Sequence, residues 1–143
     1  FNSQTMLSPA APREFVFPWH NKIVETIHAA RKPAILHSCG NYTMIFDDLL
    51  ALGYDPHHSY EDKIIPVEQA YEQFVGKMAV LGGIDMNYLI CSPEEEITAR
   101  CRRMLERTEE RGGYALGSGN SIPDYVPDEK YFAMLRAVSE KEW

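Results

Sequence analysis

The sequence is short of cysteine, of positive charge and of long apolar runs. It contains 3 cysteines, an odd and sparse set that argues against a disulfide framework and for reduced thiols. With 14 Lys and Arg against 21 Asp and Glu, the formal net charge is -7, so no basic field is present to neutralise phosphates. No apolar run approaches the roughly 20 residues that span a bilayer, and the N-terminus lacks the basic-then-apolar order of a secretory signal. These absences predict a cytoplasmic protein with neither nucleic acid nor a membrane as a partner.

The chain has enough apolar material for one core. Its 143 residues are 45% hydrophobic and 24% charged, which is the composition of an ordinary globular protein. We therefore expect a single domain over residues 1–143, in which substrate binding depends on a local pocket rather than on a charged surface.

Apolar periodicity and turn residues divide the chain into alternating helices and strands. Ser8-Pro9 resembles an N-cap followed by an N1 proline, and Ser92 and Glu95 have the spacing of a capping box. Short apolar stretches between turn signals indicate buried strands. The predicted helices cover 9–31 with a disturbance at Pro18, 42 up to Gly53, 66–74, 92 up to Gly112, and 128–139; the predicted strands cover 33–36, 54–60, 78–84 and 114–116.

Strand and helix alternate four times with short connections, which is the pattern of parallel βαβ units. A closed (β/α)8 barrel needs about 250 residues, with a lower limit of roughly 200, so this chain is too short to close one alone. A small open doubly wound sheet has the same alternation. The glycine-rich phosphate fingerprint of such sheets is missing from the first βα turn, and the lone Gly117-Ser118-Gly119 run is weak support for a nucleotide site.

His37 and Cys39 are the first candidates for chemistry. One residue separates them at the end of a predicted strand, so both side chains point to the same face. A neutral imidazole and a thiolate are suitable zinc ligands, and catalytic zinc takes three protein ligands with a fourth position open. The alternative is a polar strand end with a satisfied histidine and an inert thiol. Cys91 could be a third ligand only if its loop folds over the barrel, whereas Cys101 falls on a buried helix stripe and is expected in the core.

Further polar residues follow the later predicted strands. In a barrel, the carboxyl ends of the strands are where catalytic groups collect. One of two adjacent histidines should point inward, and we expect it to be His58, with solvent-facing polar residues as the alternative. Asp85 could equally cap a loop, and Asn120 could stabilise a turn. The residues concerned are His57, His58 and Glu61 at the end of the second strand, Asp85 after the third, and Asn120 and Ser121 after the fourth.

Five segments carry a family resemblance that extends over nearly the whole chain. They resemble the superfamily of uroporphyrinogen decarboxylases and cobalamin-dependent methyltransferases. The resemblance implies an α/β fold, the C-terminal half of a TIM (β/α)8 barrel, in which four βα units follow a helix and correspond to barrel strands five to eight. The segments are His37-Ser38-Cys39-Gly40-Asn41, Gly82-Gly83-Ile84-Asp85, Ser92-Pro93-Glu94-Glu95, the run from Gly112 to Pro123, and Pro127-Asp128-Glu129.

The two branches of this superfamily differ at the positions that matter for chemistry. The decarboxylases use no metal and carry a Gly-His-Gly turn after the last strand, whereas the corrinoid-linked methyltransferases hold zinc with a His-x-Cys pair and a later cysteine. His37 and Cys39 match the methyltransferase pair, but Asn120 stands at the later position. The departure removes the decarboxylase histidine and also leaves the zinc site without its usual third ligand.

The resemblance therefore implies a methyltransferase that exchanges a methyl group between a small methyl donor or acceptor and a corrinoid carried by a partner protein. The alternatives are a decarboxylase acting on a tetrapyrrole, which would need pocket arginines, and a truncated fragment with no activity of its own. Because a half barrel leaves strand edges unpaired, we expect either a homodimer or assembly with the missing N-terminal half. The expected site residues are His37 and Cys39 as zinc ligands, His58 and Asp85 as catalytic groups, and Asn120, Ser121 and Glu61 as substrate-binding groups.

Overall fold

A computed structural model describes residue 3 and residues 5–139, and the other residues of the predicted 1–143 domain lie outside this description. Within the described residues, each strand is followed by at least one helix, as a βα repeat requires. A 3-10 helix (Thr43–Ile45) leads into the third α-helix. The α-helices are α1 (Ala10–Phe15), α2 (Phe17–Ala29), α3 (Phe46–Ala51), α4 (Val67–Phe74), α5 (Met86–Cys91), α6 (Glu94–Thr108) and α7 (Asp128–Ser139), and the strands are β1 (Leu36–His37), β2 (Pro56–His58), β3 (Ala79–Leu81) and β4 (Tyr114–Ala115).

The strands form one parallel sheet, and its order β1-β2-β3-β4 follows the chain. Crossovers between parallel strands are right-handed, so a sheet with this order carries its helices on a single face. A doubly wound sheet reverses its strand order partway and is covered on both faces. The order therefore excludes the doubly wound alternative for the described residues. The fold is α/β and forms part of a TIM (β/α)8 barrel.

The register of the sheet sorts its residues onto two faces. Side chains alternate along a strand, so neighbouring rows of paired residues point in opposite directions. One row, with Leu36, His57 and Val80, is buried beneath the helices. Ile35 lies two residues before His37 and is 57% exposed. We define the concave face as the opposite surface of the sheet, formed by Ile35, His37, His58, Leu81 and Ala115.

Some predicted boundaries differ from the structure. The first helix breaks at Val16, because Pro18 lacks a backbone N–H and occupies the first turn of a new helix. The second strand is shorter than the predicted 54–60. The capping box is wrong: Pro93 is the N-cap of α6 and accepts the first helical hydrogen bond from Ile97 at 3.1 Å, so Ser92 lies one residue too early.

Helix α5 was not predicted from periodicity. Its 6 residues contain Leu89 as the buried position, which is too little to establish a helical period. The helix begins instead with a capping interaction, in which the Asp85 carboxylate accepts the backbone N–H of Tyr88 at 2.9 Å. Cys91 consequently ends a helix and does not lie in the loop where it was predicted.

Two apolar clusters form the core on the helical side of the sheet. One lies beneath β1–β3 and includes Tyr71 and Phe74, and the other joins α5, α6 and α7 around Ile97 and Cys101. Burial raises the pKa of the Cys101 thiol to about 12, in agreement with its predicted place in the core. None of the helices that the structure describes is both long and apolar enough to cross a membrane.

Arg100 on α6 holds the loop that follows β2. Its guanidinium donates to Asp62 at 2.6 and 2.8 Å and to Glu68 at 2.7 and 2.9 Å. The Arg100 side chain is 11% exposed, so solvent screens these paired hydrogen bonds only weakly. The loop that carries Glu61 and Lys63 is thereby fixed beside the ends of the strands.

Candidate functional site

His37 and His58 form a pair at the C-terminal ends of β1 and β2. They are register partners in the parallel sheet, so their side chains project side by side from the concave face. The two Nδ1 atoms lie 2.7 Å apart, and the ring centroids are 4.9 Å apart. The sheet thus brings together two site candidates that are 21 positions apart in the sequence.

Several side chains converge on the sulfur of Cys39. His37 Nε2 lies 3.5 Å from Sγ, Ser59 Oγ donates to it at 3.1 Å, and Asn120 Nδ2 donates at 3.6 Å. The backbone N–H of Ser121 donates to Asn120 Oδ1 at 2.8 Å, which turns the amide nitrogen of Asn120 toward the sulfur. The ends of three strands therefore meet at one thiol.

Gly82 makes room for the ring of His58. It has a φ of +70°, and a Cβ at this position would lie 3.0 Å from the His58 ring and would clash with the carbonyl oxygen of Ser118. His58 Nε2 lies 3.2 Å from the same oxygen. A glycine is therefore required here by the close approach of His58 and Ser118 as well as by the backbone conformation.

His57 points to the opposite face and is completely buried. Its ring stacks on Phe74 at a centroid distance of 5.7 Å and meets Tyr42 and Tyr60 edge-on. The Tyr60 hydroxyl is 3.0 Å from Nδ1, whereas no partner within the described residues reaches Nε2. Burial is the main reason that its pKa falls to about 4, and the charge of His58 lowers it further. Of the two adjacent histidines, His58 is the one on the concave face.

A cleft of about 490 Å³ opens between the loops that follow β2, β3 and β4. It adjoins the group around Cys39, because Asn120 lines the cleft and also contacts the Cys39 sulfur. No arginine is among its lining residues in the described part of the chain. Four of the expected site residues line the cleft, namely Glu61, Asp85, Asn120 and Ser121, together with Lys63, Asn87 and Tyr125, which the sequence did not indicate.

Asp85 has a structural task at the edge of this cleft. One carboxylate oxygen accepts the backbone N–H of Tyr88 at 2.9 Å, and the other accepts the backbone N–H of Asp62 at 3.0 Å. The first interaction caps α5, and the second fixes the loop after β2. Each oxygen keeps a further lone pair that a ligand in the cleft could use.

The residues around Cys39 fit two positions of a zinc site. Zinc binds imidazole nitrogen at about 2.0–2.1 Å and thiolate sulfur at about 2.3 Å. The 3.5 Å between His37 Nε2 and Cys39 Sγ allows both atoms to bind one ion. Across residue 3 and residues 5–139, however, no group of three or more His, Cys, Asp or Glu side chains is arranged to hold a metal. The pair therefore supplies two of the three protein ligands that catalytic zinc takes.

Ser59 is a site residue that the sequence analysis missed. It directly follows β2 and has a φ of +93°, which is uncommon for any residue except glycine. Its place immediately after His58 at a strand end was the available signal. Its backbone conformation, and therefore its contact with Cys39, could not be read from the sequence.

Comparison with known proteins relates these features to a family. A model of the family described as "Uroporphyrinogen decarboxylase (URO-D)" matches residues 2–141. The uroporphyrinogen decarboxylase of Anaeromyxobacter dehalogenans is 31% identical over 130 residues, which cover 91% of this chain and 36% of that protein. The methylated-thiol--coenzyme M methyltransferase of Methanosarcina mazei is 26% identical over 141 residues, which cover 96% of this chain and 35% of that protein.

A solved structure shows the same similarity at the level of the fold. A methyltransferase from Methanosarcina mazei superposes with a TM-score of 0.74 and 26% identity, over 94% of this chain and 38% of that one. The chain thus spans little more than a third of the length of these relatives. Both this coverage and the four-stranded sheet identify a partial barrel.

The lowered pKa of His57 predicts a specific loss of stability in acid. The unfolded chain binds a proton on this histidine below about pH 6.5, and the folded chain binds it only below about pH 4. Between these values the unfolded state holds more protons, so the free energy of unfolding falls as the pH falls from about 6.5 to 4, by about 3 kcal/mol in total. Urea unfolding of His57→Phe should show a shallower pH dependence across this window than wild type. Identical slopes for the two proteins would contradict the assignment.

Proposed function

The chain belongs to the uroporphyrinogen decarboxylase (URO-D) family, and on that premise we propose that it takes part in methyl transfer between a small methylated substrate or thiol and a corrinoid protein. The observation that carries the proposal is the convergence of His37, Ser59 and Asn120 on the sulfur of Cys39. His37 and Cys39 would hold a zinc ion. Its third protein ligand would come from outside the described residues.

The residues around the sulfur have separate tasks in this proposal. When bound, zinc would supply Lewis-acid activation of the substrate's thiol or heteroatom, and the corrinoid would supply the cobalt that exchanges the methyl group. Ser59 and Asn120 donate hydrogen bonds to the Cys39 sulfur and so orient it and offset its negative charge. Asn120 therefore supports the thiolate and does not replace the missing cysteine as a ligand.

The cleft is the proposed substrate site. Glu61, Asn120 and Ser121 offer hydrogen-bonding groups along its wall, and Asn120 connects the cleft to Cys39. A small substrate held there would direct its reacting heteroatom toward the pair of ligands. Asp85 and His58 act through other groups: Asp85 holds the loops of the cleft, and His58 contacts His37.

Decarboxylation of a tetrapyrrole is the second candidate, because a uroporphyrinogen decarboxylase is a relative at 31% identity. A carboxylic acid substrate needs cationic partners. The cleft has Lys63 but also the carboxylates of Glu61 and Asp85, and its charge disfavours a substrate with several carboxylates. Asn120 also stands where the resemblance implies the decarboxylase histidine. Charge and residue identity together favour methyl transfer.

Further barrel strands that cover the concave face would complete the site. Among the described residues, the outer edges of β1 and β4 have no strand partner, and such edges invite pairing with further strands. The chain spans 36% of the Anaeromyxobacter dehalogenans decarboxylase. We therefore propose that the remaining barrel strands come from a polypeptide segment equivalent to the family's N-terminal half. When only this chain is present, we propose that it forms a homodimer. The isolated chain would then be inactive until its concave face is covered. Exposed apolar side chains also lie on the first two helices and on the last one: Phe15, Trp19 and Ile23 on α1 and α2, and Phe132, Leu135 and Val138 on α7.

Transfer of a methyl group from methylcobalamin to a small thiol tests the proposed function. For the chain assembled with strands that cover its concave face, we expect zinc-dependent demethylation of methylcobalamin. The absorbance of the cobalamin monitors this reaction. Cys39→Ser should abolish it, because a zinc ligand is lost. Cys91→Ser should retain it, since Cys91 is also an exposed cysteine but lies at the end of α5.

Two results would contradict this assignment. Equal loss of methyl transfer in both cysteine variants would remove the specific role of Cys39. Decarboxylation of a uroporphyrinogen that is insensitive to metal chelators, without any methyl transfer, would instead support the second candidate.

Light scattering tests whether the concave face is an interface. We expect the wild-type chain alone to be dimeric and Ile35→Glu to be monomeric, because the variant would bury an unpaired charge. Met44→Glu is the matched control and should remain dimeric. Met44 is 58% exposed, close to the 57% of Ile35, but it lies outside the concave face, beside Asp47 and Asp48. A folded wild-type monomer at high concentration, or a dimer unaffected by Ile35→Glu, would overturn the interface.

A further inference from the structure

We infer that His58 is a positioning residue that fixes His37 in the tautomer whose Nε2 lone pair faces Cys39. The inference rests on the proposed function, in which His37 and Cys39 bind zinc. It arises from a chain of contacts on the concave face. The Ser118 carbonyl oxygen lies 3.2 Å from His58 Nε2, the two Nδ1 atoms of His58 and His37 lie 2.7 Å apart, and His37 Nε2 lies 3.5 Å from Cys39 Sγ.

The direction of every hydrogen bond in this series follows from the first acceptor, the Ser118 carbonyl. A backbone carbonyl can only accept, so Nε2 of His58 must carry the hydrogen. A neutral imidazole has one N–H, which makes Nδ1 of His58 an acceptor. At 2.7 Å, Nδ1 of His37 must therefore donate to it. The remaining ring nitrogen of His37, Nε2, then presents its lone pair to the sulfur of Cys39.

The opposite assignment is unfavourable at both ends of the His58 ring. With its hydrogen on Nδ1, His58 would place the lone pair of Nε2 against the lone pairs of the Ser118 carbonyl. Its Nδ1–H would also face the Nδ1–H of His37, unless His37 changed its tautomer as well. The carbonyl of Ser118 is itself fixed by the sheet, since Ser118 bridges Ile84 and the backbone N–H of Gly119 donates to Ile84 at 2.7 Å. The anchor of the hydrogen-bond chain is therefore rigid backbone.

Metal binding gives this tautomer a purpose. A ligating nitrogen must be unprotonated, and a ligating histidine usually donates its other N–H to a partner that fixes the ring and raises its basicity. The partner here is His58, which passes the interaction on to a backbone carbonyl. His37 Nε2 and Cys39 Sγ would hold the zinc ion, and its binding would release the thiol proton. Gly82 is then needed because it leaves space for the His58 ring.

Nitrogen-15 NMR of the histidine side chains reads the tautomer directly. The measurement uses the 143-residue chain at about pH 8.5, two units above the ordinary histidine pKa. We expect His37 to carry its proton on Nδ1 and His58 on Nε2, with signals assigned from His37→Ala and His58→Leu. In His58→Leu the acceptor is gone, and His37 should populate the Nε2–H form. His58→Asn places an amide oxygen near the former Nδ1 and should restore the Nδ1–H form.

The second readout is the zinc affinity of the chain assembled with strands that cover its concave face, measured by competition with a chelating dye. We expect about 10- to 100-fold weaker binding in His58→Leu, the range for losing the partner of a metal-binding histidine, and recovery in His58→Asn. His28→Leu is the matched control and should bind as wild type, because the His28 ring pairs with Asp55.

The possible outcomes separate this inference from the proposed function. Wild-type His37 protonated on Nε2, or an Nδ1–H form that persists in His58→Leu, would overturn the inference whether or not zinc binds. Zinc binding that is unaffected by His58→Leu would overturn the positioning role and leave the proposed function intact. The expected tautomers, without any zinc binding by the chain assembled with a segment that covers its concave face, would support the hydrogen-bond chain and contradict the zinc site of the proposed function.

Discussion

The parallel register between β1 and β2 determines where the two paired histidines of the candidate site lie. It pairs His37 with His58 and Leu36 with His57. Of the two adjacent histidines, His58 therefore reaches the concave face and His57 enters the core. A slip of one residue would exchange them, since side chains alternate along a strand. The buried row, with Val80 next to His57, strongly disfavours such a slip because it would expose apolar surface and bury His58.

The same sheet explains why one face of it is uncovered. Strand order that follows chain order places the helices on one face, and it leaves the concave face without cover among the described residues. Ile35 on this face is exposed for this reason, and the chain spans only 36% and 38% of two of the relatives compared above. The uncovered face thus follows from the partial barrel, whereas the proposed zinc site lacks a third ligand because Asn120 stands where the resemblance implies a cysteine.

Local sequence signals predicted the parts of the fold that depend on local physics. The spacing of His37 and Cys39 predicted that their side chains converge, and His37 Nε2 lies 3.5 Å from Cys39 Sγ although β1 ends at His37. Helix α4 agrees closely with the predicted 66–74. The capping box failed because Pro93 took the N-cap itself, and α5 is too short to have a readable period. These errors concern helix ends, strand ends and one helix of 6 residues.

Contacts between distant residues and unusual backbone conformations account for the rest. Asn120 and Cys39 are 81 positions apart, and the sequence could relate them only through family resemblance. Ser59 reaches the same sulfur from a backbone with positive φ, which no side-chain pattern encodes. Zinc K-edge X-ray absorption on the zinc-loaded protein tests the proposed centre most directly. It should show one sulfur neighbour at about 2.3 Å beside nitrogen at about 2.0–2.1 Å, with the sulfur lost in Cys39→Ser; a spectrum with no sulfur neighbour, or one unchanged in that variant, would contradict the site.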